Sequence, residues 1–68
     1  MEAYKRETRQ IIRRFRTRQL SFPNCIAALE DVLAHALLRV PPEQLDEVRS
    51  VALANNEHVM DEMARRSS

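Results

Sequence analysis

The apolar positions of this chain fall into three blocks of helical period, separated by its three prolines. In residues 2–19, Tyr4, Thr8, Ile11, Ile12 and Phe15 gather into a stripe roughly 100° wide at about 100° per residue. In residues 22–39, Phe22, Ile26, Leu29, Leu33, Ala36, Leu37 and Val40 form a seam. Cys25, Ala27, Val32, Ala34 and Leu38 extend apolar character around most of that helix, which predicts a central element touched on more than one side. In residues 42–66, Leu45, Val48, Ala52, Val59 and Met63 share a face flanked by Leu53 and Met60.

The punctuation agrees with the period. Ser21 is placed to cap the second helix and Pro23 sits in its first turn, where a missing N–H costs little. Pro41-Pro42 must end the second helix and open the third, with Glu43, Asp46 and Glu47 in turns where the helix dipole favours carboxylates. Arg65 and Arg66 lie at the opposite end, where it favours cations. The sequence contains no glycine, and tight hairpins between strands generally need one.

The expected fold is therefore all-α: a small three-helix bundle with helix 1 at about 2–19, helix 2 at about 22–39 and helix 3 at about 42–66. The short Pro-Pro link makes helices 2 and 3 an antiparallel hairpin. Residues 1–68 form one helical domain, a basic N-terminal helix (1–20) followed by an acidic hairpin (21–68). The third helix outreaches the second by roughly 10 Å at 1.5 Å per residue. Its overhang carries Val59, Met60 and Met63, which either the first helix or a second copy of the chain must cover.

Size sharpens that requirement. A chain this short buries only about 60% of the surface its unfolded form exposes. A single cysteine, Cys25, excludes an internal disulfide, and no Cys/His cluster points to structural zinc. Regular helix packing and self-association remain, so a homodimer is expected. The cysteine usage fits a cytoplasmic setting. No uncharged run is long enough to span a bilayer, and the N-terminus lacks the apolar stretch of a signal peptide.

Charge changes the picture more than composition does. The net charge is +1, yet residues 1–20 carry seven cationic side chains against two carboxylates, and residues 21–68 carry four against eight. Lys5, Arg6, Arg9, Arg13 and Arg16 fall within about 100° of arc, a stripe able to meet phosphates or an acidic protein. The competing reading is a solvated face, or one neutralised by Glu57, Asp61 and Glu62 at the end of helix 3. A helix-turn-helix is a poor fit, because its recognition helix would open with Glu43, Asp46 and Glu47. A basic helix bearing Ile11, Ile12, Phe15 and Leu20 could lie on an anionic membrane, but its short apolar face makes this the weaker reading.

The remaining candidates are single residues. Asn56 falls at the centre of the third apolar stripe, where a polar residue can fix register and oligomer state. Asn56, Val59, Met60 and Met63 are thus the expected interface residues. The alternative is an Asn56 exposed on a frayed overhang. Glu57, His58, Asp61 and Glu62 sit at i, i+4 spacings that could bring carboxylates and an imidazole together. A metal or acid–base site would need partners from elsewhere and no HExxH-like pattern supports one, so surface pairing of Asp61 with Arg65 and of Glu62 with Arg66 is the expected reading. Cys25 reads as a small buried apolar residue. No catalytic, cofactor-binding or metal-ligating set emerges, and a dinucleotide fingerprint or phosphate loop is excluded because both require glycine. The expectation is a non-enzymatic interaction or regulatory module acting through helical surfaces as a homodimer, with nucleic-acid binding through the first helix as the alternative.

Overall fold

A computed structural model describes residues 1–67 as three α-helices. They are α1 (Glu2–Arg16), α2 (Phe22–Arg39) and α3 (Leu45–Ser67), the last preceded by a single 3-10 turn over Pro42–Gln44. Ser21 caps α2 as its position predicts, its Oγ accepting from the Asn24 N–H at 3.3 Å. Val40 and Pro41 are extended, so the chain leaves α2 and re-enters a helix within a few residues.

Helix α1 ends at Arg16, short of the expected Gln19. The Gln19 N–H bonds back to the Arg14 carbonyl at 2.7 Å and the Arg18 N–H to the Phe15 carbonyl at 3.1 Å. This double closure needs a left-handed residue, usually glycine. Here Arg18 takes the role at φ 65°, at a cost of about 1 kcal/mol.

Contacts along α1 fix the topology. Lys5 meets Glu47 at one end and Arg16 meets His58 at the other, both pairs 42 residues apart in sequence. Helices α1 and α3 therefore run parallel, with α2 antiparallel to both, in a body measuring 40 × 18 × 17 Å. Of the α3 overhang, Val59 and Met63 are covered from within, packed with Ile12 and Phe15 of α1, while Met60 stays exposed.

The core has two apolar ends. Ile12, Phe15, Cys25, Leu29 and Val59 fill one, with Ile11, Ile26 and Met63 packed around them. Tyr4, Ala36 and Val48 fill the other, with Met1, Val32, Leu33, Val40 and Val51. Among the described residues, Thr8 and Asn55 are the two buried polar ones. Thr8 satisfies its hydroxyl by donating to the Lys5 carbonyl at 3.0 Å, and Asn55 hydrogen-bonds the Tyr4 side chain.

Two expectations are corrected here. The buried asparagine is Asn55, and Asn56 is exposed. The inward seam of α3 runs through Val48, Ala52, Asn55, Val59, Glu62 and Arg66, alternating four and three, so polar residues with partners occupy places that an apolar count skips. Second, α2 is not enclosed: Leu37 is half exposed and Leu38 is 87% exposed.

The end of α1 is held from α3. The Arg66 guanidinium lies 4.3 Å from the centre of the Phe15 ring, and its Nη2 donates to the Phe15 carbonyl at 2.7 Å. Its Nε donates to Glu62 at 3.1 Å. Replacing Arg66 with alanine removes a cation–π contact and a charged hydrogen bond together, for an expected loss of about 1–3 kcal/mol in urea denaturation. Arg18→Gly relieves the left-handed strain and should move the midpoint the other way, by about 0.5–1 kcal/mol. An Arg66→Ala protein as stable as the parent would contradict this account of how α1 is anchored.

Candidate functional site

Parallel packing of α1 on α3 divides the basic stripe. Lys5 is spent on Glu47, Nζ to Oε1 at 2.7 Å, because the acidic opening turns of α3 lie beside the start of α1. Arg16 leans on His58, Nη2 to Nδ1 at 3.4 Å. A guanidinium only donates, so Nδ1 must offer its lone pair and the ring proton sits on Nε2. Among the described residues, Arg6, Arg9 and Arg13 form no ion pair.

Among the described residues, Glu57, Asp61 and Glu62 form no ion pair with the basic stripe, so the competing reading of a stripe neutralised by the end of helix 3 is not met. Glu62 turns along its own helix to Arg65 and Arg66, at 2.9 and 3.1 Å. Asp61 shares a shallow surface depression with Arg16 and Arg65 without pairing to Arg16, and Glu57 is exposed without an ion pair to the stripe.

What remains is a groove of about 550 Å³ between α1 and α3, lined by Arg9, Ile12, Arg13, Arg16, Thr17, Asn55 and His58. Three guanidinium-bearing residues and an imidazole border it, with no carboxylate in the lining. Arg6 does not reach it. His58 is the residue that sequence reasoning missed, because its partner lies 42 positions away and no local spacing signals the contact.

A second surface lies on the other side of α3. Ile26, Glu30 and Leu33 of α2 face Ala52 and Asn56 of α3 across an open groove of about 230 Å³, with Tyr4, Leu29 and Asn55 also lining it. Helical spacing continues this face through Phe22 and Leu37 on α2 and through Leu45, Leu53 and Met60 on α3. These five are 37–61% exposed. Of the expected interface residues, Asn56 and Met60 lie here. Val59 is only 1% exposed and Met63 packs against the core, so neither is available to a partner. Both are covered because α1 folds back over them.

Other reactive groups are quiet. Burial pushes the Cys25 thiol upward in pKa, with the charge of Arg66 opposing, so the thiol stays protonated and shielded. Burial likewise raises the Tyr4 hydroxyl, against the lowering effect of Asn55. His35 Nδ1 donates to the Asp31 carbonyl at 2.8 Å, away from His58. Among the described residues no group of three or more His, Cys, Asp or Glu side chains could hold a metal ion, and no helix is long and apolar enough to cross a membrane.

Comparison of the chain with protein-family models, with curated proteins and with solved structures finds no match in any of the three.

The Lys5–Glu47 pair carries a pH signature. The hydrogen bond from Lys5, and then its charge, hold the Glu47 carboxyl below its usual range; the same contact raises the Lys5 ammonium. A lowered carboxyl contributes stability above its unfolded pKa and loses it as pH falls through the folded value. A raised ammonium contributes below its unfolded pKa and loses it as pH rises through the folded value. Glu47→Gln should therefore melt below the parent near neutrality, and the gap should close as the pH falls below about 4.5 and through the lowered folded value. Thermal melts across that range measure it; a gap that persists undiminished in acid would assign the effect to packing.

Proposed function

We propose that this chain is a small non-enzymatic interaction module that acts through its helical surfaces as a homodimer, the outer face of α2 and α3 being the contact between copies. The observation that carries this reading is the retention of Phe22, Leu37, Leu45, Leu53 and Met60 on one side of the hairpin while α1 covers the other. Several large apolar side chains left exposed on one face support an interaction site there. The face also carries complementary charge: Glu30 on the α2 edge and Arg49 one turn from both Leu45 and Leu53, neither in an ion pair among the described residues. A two-fold pairing brings the same patch to itself, so Glu30 of one copy can meet Arg49 of the other. Asn56 lies within the patch and is placed to fix its register.

Sedimentation tests the reading. The parent should run as a dimer, and Leu53→Glu with Met60→Glu should run as a helical monomer. Leu38→Glu, about 100° around α2 from Leu37, should leave the dimer intact. Glu30→Arg and Arg49→Glu should each weaken association and together restore it. A parent that stays monomeric at concentrations on the order of 100 μM would sink the proposal.

One observation favours a second reading. The unpaired Arg6, Arg9 and Arg13 could follow the phosphates of a nucleic acid, making the chain a binding protein that works through α1. Affinity for duplex or single-stranded oligonucleotides should then fall steeply between about 50 and 200 mM salt. Arg9→Ala and Arg13→Ala should flatten that slope. Failure to bind at the lower salt rejects this reading.

A further inference from the structure

We infer that the groove between α1 and α3 is a discrete site for a multiply charged phosphoryl group, as found on a phosphate monoester or a diphosphate, held by Arg9, Arg13 and Arg16 with His58 positioning Arg16. The inference goes beyond the homodimer and stands whether or not the chain dimerises. It shares arginines with the nucleic-acid reading but names a different ligand.

The argument begins with unbalanced charge. Arg9, Arg13 and Arg16 line one groove with no carboxylate among the lining residues, although acids are plentiful on the neighbouring helix. Glu47 is on Lys5 and Glu62 is on Arg65 and Arg66. Glu7 shares a surface depression with Arg13 and Asp61 one with Arg16, yet among the described residues neither these two nor Glu57 forms an ion pair with the three arginines. Like charges gathered this way repel one another, and a bound anion would relieve that repulsion. Guanidinium groups present planar, paired donors that match phosphate oxygens.

Shape limits the ligand. Arg9 and Arg16 are about 10 Å apart along the helix axis. Upstream, one turn before Arg9, the Lys5–Glu47 pair neutralises the stripe. Downstream, α1 ends and Thr17 closes the groove, its hydroxyl donating to the Arg13 carbonyl at 3.0 Å. The cationic zone is thus short and bounded, of a length for one or two phosphoryl groups. A protein that tracks a duplex needs a longer row of contacts.

Two further residues shape the site. The neutral side of His58 accepts from Arg16 and braces that long side chain, leaving its Nε2–H as a donor. Ile12 gives the groove an apolar floor, since it is 6% exposed, and an apolar floor strengthens charge interactions above it.

Calorimetry on the full chain at about 0.1 M ionic strength, where the Debye length is about 10 Å, tests this with pyrophosphate and with a short single-stranded DNA as probes. Pyrophosphate should bind, and Arg13→Gln or Arg16→Gln should weaken it by about tenfold each. Arg6→Gln and Arg49→Gln remove the same charge outside the groove and should change affinity by less than about twofold. His58→Ala should weaken binding, and His58→Gln, which keeps an acceptor for Arg16, should recover part of it. All these side chains are exposed, so circular dichroism should report unchanged helicity. Three results would each overturn the inference: no pyrophosphate binding, equal losses from Arg6→Gln and Arg13→Gln, or DNA binding that excess pyrophosphate does not displace. The last of these would leave the nucleic-acid reading standing, whereas pyrophosphate binding without DNA binding would remove it.

Discussion

Phe15 is where the three helices are locked to one another, and the remaining geometry follows from how it is held. Its ring is fully buried among Ile12, Cys25, Leu29 and Val59, and lies 6.4 Å from the ring of Phe22 at the start of α2. Arg66 of α3 stacks on the ring and donates to the backbone carbonyl, which also accepts from Arg18 in the turn that ends α1. One residue thus terminates α1, starts its reversal and receives the end of α3. A chain without disulfide or glycine needs such a junction, since a 68-residue protein has little apolar area to spare. Without it the parallel register of α1 on α3 would rest on the packing of Tyr4 with Val48 and Ile12 with Val59 and on the Tyr4–Asn55, Lys5–Glu47 and weaker Arg16–His58 contacts.

That register also sorts the charge. The +5 balance of the first 20 residues is not one patch in the folded chain. Lys5 is neutralised, Arg14 and Arg18 belong to the helix end and turn, and Arg6, about 10 Å along the helix from Arg13, is not among the residues lining the groove. Arg9, Arg13 and Arg16 remain together because α3 turns Asn55 and His58 toward them. The acids of α3 that could have reached them lie about one helical step off that face. A rotation of α3 by a single residue position would exchange a cationic groove for a salt-bridged seam.

The limits of sequence reading follow from the same contacts. Helices α2 and α3 were legible because prolines and Ser21 act locally, through missing N–H groups and a cap one turn away. The end of α1 was hidden because Arg18 occupies a position where glycine is the usual sign. The face of α3 was read one residue off, at Asn56 instead of Asn55. Leu45, Leu53 and Met60 pulled the apparent apolar direction outward, while Asn55, Glu62 and Arg66 point inward with partners on other elements or their own helix. The arginine stripe was visible as helical spacing. His58 beside Arg16 and Arg66 over Phe15 were not, because those contacts span 42 and 51 positions.

The two surfaces left open lie on opposite flanks of α3. His58 faces the groove against α1, and Asn56 faces the groove against α2. At about 100° per residue, positions two apart on a helix point roughly 160° from each other, so the two grooves look away from one another. Pairing through the α2–α3 face would therefore leave both arginine grooves of a dimer exposed, one on each outer side. The apolar face and the cationic groove make different demands, the first for desolvation and the second for access to water and ions. A helix with polar residues embedded in both flanks meets them together. The low amphipathicity of α3 follows from this: it has a buried seam and two working edges, where α1 has one apolar face and a charged back.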